Sequence, residues 1–422
     1  MDVLLVGGGG REHALVKKLR ESAEIDRLYA LPGNAGMEPD AVGVPIAATD
    51  IDGIVRFAAE SRVGYAIVAP DDPLVLGAVD RLTAAGVPCF GPTAAAAAIE
   101  GSKSFAKRLM EKYGIPTARY RVFSSADAAL AYARAENRPL VVKADGLALG
   151  KGVAICPDFA AAEDAIRSMM IDRAFGDSGG TVVIEEFLTG PEVSVLAFTD
   201  GQTIAPMASA MDHKRALDGD LGPNTGGMGA IAPNPLYTPE IAARCMKEIF
   251  EPTVAAMNAE GRAFRGCLYF GLMLTADGPK VIEYNCRFGD PEAQAVLPLL
   301  DGDLFSIMRA VTGGYLADVP VRVRTGASCC VVLASGGYPG KYRTGLPIAA
   351  GEMPENVSVF YAGVRRGGEN LVTAGGRVAG VTAVAGDLPA AVALAYEGAS
   401  RIHFEGAYMR RDIGGRALGG KE

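Results

Sequence analysis

The chain has 422 residues, of which 49% are hydrophobic and 21% are charged, and this balance excludes an intrinsically disordered protein. Its formal net charge of −8 argues against nucleic acid as the main partner, and the lack of any run of about 20 apolar residues argues against a membrane partner. Its seven cysteines form no C-x-x-C pair, so we expect reduced thiols, no export signal and a cytoplasmic location.

The first strand and the glycine turn after it predict an anion site. An apolar strand over residues 2–6 is followed by four glycines, residues 7–10, and then by a helix, which presents backbone N–H groups to an anion. The dinucleotide pattern G-x-G-x-x-G fails here, because its third glycine falls on Glu12 or His13. The second strand, residues 28–31, brings no acid to hold a ribose. We therefore expect a smaller phosphorylated ligand; a turn that needs glycine only for its geometry is the alternative.

Strands and helices alternate through the first hundred residues. Strands are predicted over 65–69 and 87–90, and helices over 51–61 and 75–85. This order predicts a parallel sheet with helices on both faces. Polar groups at the carboxyl ends of the strands, such as Asp71, lie where such sheets bind ligands.

A glycine-rich loop with a lysine lies between two predicted strands. Residues 140–143 form the first strand and end in Lys143, and Lys151 lies in the loop. The loop is not a Walker motif, because only three residues separate Gly146 from Gly150 and a strand follows where a helix is required. Such a loop can close over nucleotide phosphates, with both lysines as point charges. A solvated surface charge is the alternative for each lysine.

Residues 182–188 are predicted as an apolar strand that runs into an acidic crossover. Backbone groups there could meet an adenine edge, and Glu192 could accept a hydrogen bond from a ribose hydroxyl. A strand that simply ends in a charged loop is the alternative.

Residues 211–229 are polar and glycine-rich, which indicates either a flexible loop or a substrate-binding one. His213 in this segment could be a base or a hydrogen-bonded structural residue.

The stretch from Val281 to Glu292 carries the densest set of polar residues. Residues 280–284 are predicted to pair with 268–274 as a hairpin, and the alternating residues Glu283, Asn285 and Arg287 would share one face. Carboxylate and amide oxygens are ligands that Mg²⁺ takes when it also holds substrate phosphates. Arg287 adds a rigid fork for a carboxylate or phosphate. A strand with a solvated polar face is the alternative.

Helices are also predicted over 104–113, 241–259 and 305–311. From residue 327 the pattern becomes short β runs, over 329–334, 357–362 and 376–382, followed by a helix over 388–402.

Nine short stretches, taken together, carry a resemblance to a known family. They are GGREHAL, PGNAG, GSK, VKADGLALGKGV, IEEFL, DHKR, GPNTGGMGA, NCRFGDPE and RRDIG. With them the chain closely resembles the phosphoribosylamine–glycine ligases (glycinamide ribonucleotide synthetases), a family of the ATP-grasp superfamily, over residues 3–414.

The resemblance implies an α/β multidomain fold. It consists of an N-terminal parallel α/β domain, an ATP-grasp core with a small lid, and a C-terminal α+β domain. The implied boundaries are 1–102 for the N-terminal domain, 103–121 with 191–326 for the core, 122–190 for the lid and 327–422 for the C-terminal domain.

The resemblance also implies a reaction of de novo purine biosynthesis. ATP, glycine and 5-phosphoribosylamine would give ADP, phosphate and glycinamide ribonucleotide through glycyl phosphate, with Mg²⁺ or Mn²⁺ as the metal. Transient contact with neighbouring purine-pathway enzymes is expected. The alternative is another ATP-grasp carboxylate–amine ligase; a non-catalytic nucleotide-binding module is disfavoured because Glu283, Asn285 and Lys151 are all present.

Residue roles follow from the same resemblance. The metal ligands would be Glu283 and Asn285. The ATP contacts would be Lys103, Lys143, Lys151, Glu185, Glu186, Phe187, Leu188 and Glu192. Glycine and the acyl phosphate would be held, and the chemistry assisted, by Arg287, Asp212, Lys214 and Lys151. Phosphoribosylamine would be held by Gly9, Gly10, Arg11, Glu12, His13, Asn34 and Asp71.

Three positions depart from the family pattern. Asp71 lies in APDDPL where the family usually has GPEAPL, so its carboxylate is one methylene shorter. Tyr361 replaces a common histidine, and Phe270 replaces a usual alanine. We assign no function to Tyr361 or Phe270.

Overall fold

The N-terminal strands form the predicted parallel sheet in the computed structural model, which describes residues 1–148 and 152–419. From edge to edge the sheet contains Val42–Gly43, Arg27–Pro32, Asp2–Gly7, Tyr65–Val68 and Cys89–Phe90, all parallel. The chain adds strands first on one side of the central strand Asp2–Gly7 and then on the other. The carboxyl ends of the three middle strands therefore meet at a crevice of the type where such sheets bind ligands.

Helices cover this sheet, with one difference from the expected boundaries. They are Gly10–Leu19, Ile51–Glu60, Asp71–Val75, Ala78–Ala84 and Ala94–Gly101, with a 3-10 turn at Ala35–Met37. The helix predicted over 75–85 is present only as Ala78–Ala84, because Gly77, which separates it from the short helix Asp71–Val75, takes a left-handed conformation with φ of 84°. The shorter helix begins at Asp71, directly after its strand.

The lid is a small antiparallel sheet with its own hydrophobic core. Its described strands run in the order Tyr120–Phe123, Val182–Glu186, Leu140–Ala144 and Val153–Cys156. Its helices are Ala126–Glu136 and Phe159–Ile166; the second continues through Arg167–Ile171, and a 3-10 turn follows at Gly176–Gly179. Its buried core residues all lie between Ala129 and Ile184, which makes the lid a separate packing unit.

The central region is built on a second antiparallel sheet. Its strands run in the order Ile204–Pro206, Glu192–Thr199, Gly266–Thr275 and Gly278–Asn285. Its helical segments are Lys103–Tyr113, Pro239–Cys245, Met246–Phe250, Glu251–Ala259, Glu292–Val296, Leu297–Leu299, Leu304–Gly313 and Leu316–Asp318. The predicted hairpin is confirmed, and it places Glu283 and Asn285 near the end of its second strand.

The C-terminal sheet includes strands from the middle of the chain. Its order is Met211–Asp212, Gly229–Ala232, Ala327–Ser335, Arg377–Ala385 and Val357–Tyr361, with Ala407–Tyr408 also pairing to the third of these. Four two-strand pairs accompany the sheets: Arg215–Leu217 with Leu221–Asn224, Leu300–Asp301 with Arg322–Val323, Ala349–Ala350 with Ile402–His403, and Val364–Gly367 with Asn370–Thr373. The polar segment 211–229 therefore forms ordered β structure.

One helix and two 3-10 turns complete the C-terminal region. The turns are Asp218–Asp220 and Arg416–Leu418. The helix is Leu388–Ala399, three residues shorter than predicted, because residues 402 and 403 pair with another strand. A shared hydrophobic core joins the N-terminal, central and C-terminal regions. A buried hydrogen bond adds to this contact, because the Tyr65 hydroxyl donates to the Met308 carbonyl at 2.8 Å.

Candidate active site

The two candidate metal ligands lie at the end of the strand Gly278–Asn285. Glu283 pairs across the hairpin with Gly271, and Asn285 pairs with Tyr269. Gly271 admits the Glu283 side chain, because a Cβ at residue 271 would lie only 2.8 Å from Glu283 Cγ. The strand ends at Asn285, so the predicted alternation does not extend to Arg287, which lies in the following turn.

Lysines surround Glu283. Lys214 Nζ lies 3.5 Å from Glu283 Oε1 and 3.1 Å from Glu192 Oε2. Burial alone would raise the pKa of Glu283, but Lys214 and Lys143, with Lys103, hold this pKa below its usual value. Glu283 is therefore an ionised carboxylate, the form that can bind a divalent metal.

Lys103 and the start of the glycine-rich loop are tied together. Lys103 Nζ donates to the Gly146 carbonyl at 3.0 Å, and Asp145 Oδ1 accepts from the Ser104 backbone N–H at 2.6 Å. Burial lowers the pKa of Lys103, with Glu283 opposing that effect. The loop thus begins beside the metal candidates, while Lys151 lies outside the described residues.

Glu185 is held between two lysines. Its carboxylate is buried, with Oε1 2.9 Å from Lys143 Nζ and Oε2 3.0 Å from Lys107 Nζ. Lys143 also donates to the Ile282 carbonyl at 2.8 Å, so the lid strand is tied to the Glu283 strand. The Glu185 side chain therefore orders these cations, and its strand is paired on both sides within the lid sheet.

The other adenosine candidates lie where the strand Val182–Glu186 gives way to the crossover. The carboxylate of Glu186 accepts from the Arg119 side chain at 2.7 Å, while Phe187 is exposed and Leu188 is half-buried. Glu192 begins the next strand and is exposed apart from its contact with Lys214.

Arg287 has a buried partner that sequence reasoning missed. Its Nη2 lies 3.0 Å from Glu100 Oε1, and Glu100 Oε2 accepts from the Cys286 backbone N–H at 2.7 Å. Burial raises the pKa of Glu100, and Arg287 opposes that shift. The signal available in the sequence was a lone carboxylate in the otherwise apolar helix Ala94–Gly101.

Asp212 and Glu292 form an acidic patch near Lys214. A carboxylate oxygen of Asp212 is buried and has no hydrogen-bond partner among residues 1–148 and 152–419. Burial, and then the charge of Glu292, raise the pKa of Asp212 well above its usual value. Glu292, which starts its helix as predicted, accepts from the Tyr269 hydroxyl at 2.9 Å. This arrangement can receive a cationic group.

The glycine turn after the first strand is held by its own helix. Glu12 Oε2 accepts from the Gly9 N–H at 2.7 Å, and Glu12 Oε1 lies 2.6 Å from Arg11 Nε. Arg11 also donates to the Phe288 carbonyl at 3.1 Å. Arg11 and Glu12 therefore shape the turn, and the Glu12 carboxylate occupies the Gly9 N–H that the sequence offered to an anion.

Asn34 and His13 connect this turn to the C-terminal region. Asn34 Nδ2 donates to the Gly8 carbonyl at 2.8 Å and to the Tyr361 carbonyl at 3.0 Å. His13 Nδ1 accepts from the Tyr361 N–H at 2.9 Å, and burial lowers the pKa of His13 to about 3. A neutral His13 carries its proton on Nε2, which is buried without a partner among the described residues.

His213 is a structural residue. Its Nε2 accepts from the Gly414 backbone N–H at 3.2 Å, and its backbone pairs with Gly229 and Met228. Burial lowers the pKa of His213 to about 4, so it is neutral near pH 7. The sequence left two roles open for His213, a base or a hydrogen-bonded structural residue. The geometry favours the structural role.

Arg377 is a second residue that sequence reasoning missed. Its Nη2 lies 2.8 Å from Asp290 Oδ2, and its Nη1 donates to the carbonyls of Asp290 and Gly226, each at 2.8 Å. One C-terminal arginine thus joins two of the motifs that carry the family resemblance. An arginine in a run of small residues at the start of a strand, GGRVAG, gave no sign of this role.

A cleft separates the lid from the polar hairpin, residues 215–224. The cleft has a volume of about 500 Å³ and is lined by Ile155 of the lid, by Arg215 and Asn224 of the hairpin, and by Gly340. The lid and the C-terminal region therefore border the same cleft. Across residues 1–148 and 152–419, no helix is long and apolar enough to cross a membrane.

Family models match three parts of the chain. The N domain of phosphoribosylglycinamide synthetase matches residues 1–100, its ATP-grasp (A) domain matches 101–293, and its C domain matches 328–416. The phosphoribosylamine–glycine ligase of Allochromatium vinosum is 50% identical over 423 residues, covering 99% of each chain. That of Vibrio cholerae is 47% identical, again covering 99% of each chain.

Solved structures agree with this assignment. The crystal structure of phosphoribosylamine–glycine ligase from Thermotoga maritima has a TM-score of 0.86 and 34% identity, covering 98% of this chain and 100% of that one. The biotin carboxylase domain of the 2-oxoglutarate carboxylase from Hydrogenobacter thermophilus, solved with MgADP, has a TM-score of 0.75 and 17% identity, covering 97% and 91%.

These likenesses confirm the predicted fold class, with its parallel N-terminal domain, ATP-grasp core and C-terminal domain. An ATP-grasp fold supports ATP and a divalent metal as ligands. The agreement extends along nearly the whole chain, at identities that far exceed those of a shared fold alone. The chain belongs to the phosphoribosylglycinamide synthetase family.

Proposed function

We propose that the chain joins glycine to 5-phosphoribosylamine with ATP, giving glycinamide ribonucleotide, ADP and phosphate through glycyl phosphate. The observation that carries this proposal is the convergence of Lys214, Lys143 and Lys103 on the ionised carboxylate of Glu283. Phosphoryl transfer needs charge neutralisation and positioning more than a covalent side chain, and this cluster supplies both.

The chemistry requires an activated carboxylate. A glycine carboxylate oxygen attacks the γ-phosphorus of ATP, and the bond to ADP breaks. The amine of phosphoribosylamine then attacks the acyl carbon, phosphate leaves with the carboxylate oxygen, and the amine loses a proton. The protein must hold the three substrates in line and keep water from the acyl phosphate.

ATP would bind between the lid and the core. Lys103, Lys143 and Lys151 would meet its phosphates, and the first two are tied to the loop start and to Glu185 by hydrogen bonds. The backbone of Glu185, Glu186, Phe187 and Leu188 would meet the adenine edge, and Glu192 a ribose hydroxyl.

The metal would be held by Glu283 and Asn285. Both side chains offer an oxygen ligand. Among the described residues, no cluster of three or more His, Cys, Asp or Glu side chains could hold a metal. This donor set suits Mg²⁺, which is bound through one or two protein oxygens together with substrate phosphates. Mn²⁺ can occupy the same oxygen ligands. The bound metal would neutralise charge on the phosphates.

Glycine would lie between Arg287 and Asp212. The Arg287 guanidinium suits the carboxylate, and the buried acidic patch of Asp212 and Glu292 suits the ammonium group. Lys214, which already contacts Glu283 and Glu192, would stabilise the acyl phosphate. Phosphoribosylamine would bind at the crevice of the N-terminal sheet, near Gly9, Gly10, Arg11, Glu12, His13, Asn34 and Asp71.

We propose the same division into domains that the resemblance implies. The N-terminal domain would span 1–102, the core 103–121 with 191–326, the lid 122–190 and the C-terminal domain 327–422. The buried core of the lid lies within 122–190, while its first strand, Tyr120–Phe123, begins two residues before that boundary. The strands Met211–Asp212 and Gly229–Ala232 fall within the core by residue number, but they pair with strands of the C-terminal sheet.

We also propose a cytoplasmic location, which is supported by seven cysteines that are free and buried. Transient contacts with neighbouring purine-pathway enzymes stay a prediction, which crosslinking of the purified pathway enzymes would test.

An isotope experiment tests the proposed reaction. Glycine labelled with ¹⁸O in its carboxylate is incubated with the enzyme, ATP, Mg²⁺ and phosphoribosylamine, and the released phosphate is analysed by mass spectrometry. The proposal predicts one ¹⁸O atom in each phosphate, in equal amount to glycinamide ribonucleotide. Ligation without transfer of label would contradict the glycyl phosphate intermediate.

A further inference from the structure

The RRDIG motif, residues 410–414, lies against the polar hairpin. Arg410 is fully buried, and its guanidinium donates to both carboxylate oxygens of Asp412 at 2.7 Å. The same guanidinium donates to Asp220 Oδ1 at 2.8 Å and to the Arg215 carbonyl at 3.1 Å. Arg410 thus binds its near neighbour Asp412, and it also binds an acid and a backbone carbonyl about 190 residues earlier in the chain.

Three backbone hydrogen bonds extend this contact. The Arg411 N–H donates to Asp218 Oδ1 at 2.8 Å, and the Gly219 N–H donates to Asp412 Oδ2 at 2.8 Å. The Gly414 N–H donates to His213 Nε2 at 3.2 Å. We call the set formed by residues 410–414 and 213–220 the tail clamp.

The tail clamp holds the segment that carries two site residues. Asp212 and Lys214 flank His213, which is buried and receives the hydrogen bond from Gly414. On the other side, the strand Gly229–Ala232 pairs with Asp212, and Thr225 donates its backbone N–H and its hydroxyl to the Lys214 carbonyl at 2.8 and 2.9 Å. The segment is therefore fixed from both sides.

We infer that Arg410 is a positioning residue for glycine activation, acting through the tail clamp on Asp212 and Lys214. This inference rests on the proposed roles of those two residues. Removing a buried arginine from its acids frees the hairpin, and a displacement of about 1 Å at a reacting group lowers rates by up to about a hundredfold. The C-terminal tail is then part of the catalytic apparatus although it touches no substrate.

The first test compares Arg410→Lys with Arg401→Lys. Lysine cannot reproduce the forked contact with Asp412. Arg401 serves as the control because it pairs with Glu397 and the Glu352 carbonyl on the same C-terminal region, away from the hairpin. We expect Arg410→Lys to raise the KM for glycine by about tenfold and to change the KM for ATP by less than about twofold. Arg401→Lys should change neither value.

The change in KM separates positioning from folding. A loss of folded protein lowers the maximal rate in proportion to the folded fraction, measured by circular dichroism, and leaves both KM values unchanged. A rate loss that the folded fraction accounts for completely, with both KM values unchanged, would overturn the inference. Should Arg410→Lys not fold, Tyr396→Phe replaces it, because the Tyr396 hydroxyl donates to the Arg410 carbonyl at 2.8 Å and accepts from the Ile413 N–H at 3.0 Å. Its expected rise in the glycine KM is about fivefold, because both of these hydrogen bonds are lost but Arg410 keeps its acids.

A double-mutant cycle tests whether the effect passes through Lys214. Arg410→Lys (or Tyr396→Phe) is combined with Lys214→Arg, and kcat/KM for glycine is measured for all four proteins. We expect the tail variant to lose most of its effect when Lys214 is already changed, whereas independent effects would multiply and contradict the inference. If the wild-type enzyme itself fails to require glycine and phosphoribosylamine for ADP release, the proposed function fails instead.

Discussion

The Arg287 guanidinium lies 3.0 Å from a carboxylate oxygen of Glu100, which is buried, while the side chain of Arg287 itself is 19% exposed. Glu100 belongs to the helix Ala94–Gly101, and Arg287 follows the strand that carries the candidate metal ligands. The orientation of the proposed glycine-binding fork is therefore determined from the junction with the N-terminal domain.

Glu100→Gln should destabilise the fold by leaving Arg287 charged, largely buried and without its ion-pair partner. We expect the free energy of unfolding to fall by about 3 kcal/mol, measured by urea titration. Arg81→Gln is the control, because it breaks the exposed Arg81–Asp52 pair and should lower the same quantity by less than about 1 kcal/mol. Equal losses in the two variants would show that the Glu100–Arg287 pair contributes no more to the free energy of unfolding than the exposed pair does.

Glu283→Gln should abolish metal-dependent catalysis while leaving the fold intact. The carboxylate is ionised among lysines, so the amide removes a negative charge that the metal needs. We expect kcat to fall by at least about a hundredfold, with Mn²⁺ affinity, followed by electron paramagnetic resonance, lowered in parallel. A variant with normal Mn²⁺ affinity would exclude Glu283 as a ligand.

Lys107 should make stability rise with pH above about 8. Burial lowers its pKa from 10.5 to about 8, with Glu185 opposing the shift. Between these pH values the unfolded chain binds the proton and the folded chain does not, so raising the pH favours folding. Relative to Lys107→Met, the wild type should gain about 3 kcal/mol in free energy of unfolding across this window. Parallel stability curves for the two proteins would contradict this prediction.

Asn34→Ala should weaken phosphoribosylamine binding. The amide joins the Gly8 carbonyl to the Tyr361 carbonyl, so its loss frees the glycine turn from the C-terminal region. We expect the KM for phosphoribosylamine to rise by about tenfold and the KM for ATP to stay unchanged. Asn370→Ala, at an exposed position, is the matched control. A rise in both KM values would indicate general disorder of the site.

Local patterns predicted the elements that position the site. Two strand runs located the hairpin with Glu283 and Asn285, and the glycine turn after the first strand predicted a helix from residue 11, which begins one residue earlier at Gly10. The helix predicted over 75–85 was wrong, because the left-handed turn at Gly77 reads like an ordinary helical glycine in sequence. Backbone conformation at a single glycine depends on tertiary packing that no local pattern reveals.

Long-range partners could not be predicted. Glu100 and Arg377 are lone charges among apolar or small residues, whereas Lys107 and Arg410 have charged neighbours, and each of the four has a partner far along the chain. Arg377 binds Asp290 across 87 residues, and Arg410 binds Asp220 across 190. Buried charges require partners, but the identity of those partners follows only from how the sheets assemble. The family resemblance supplied candidate residues, not these supporting contacts.

The most direct test of the proposed function is ADP release by the purified protein with ATP and Mg²⁺. Glycine and freshly generated phosphoribosylamine are added separately and together, and ADP and glycinamide ribonucleotide are quantified. We predict rapid release only when both are present, with one glycinamide ribonucleotide for each ADP. Release that is indifferent to phosphoribosylamine would contradict the account and indicate a different amine acceptor.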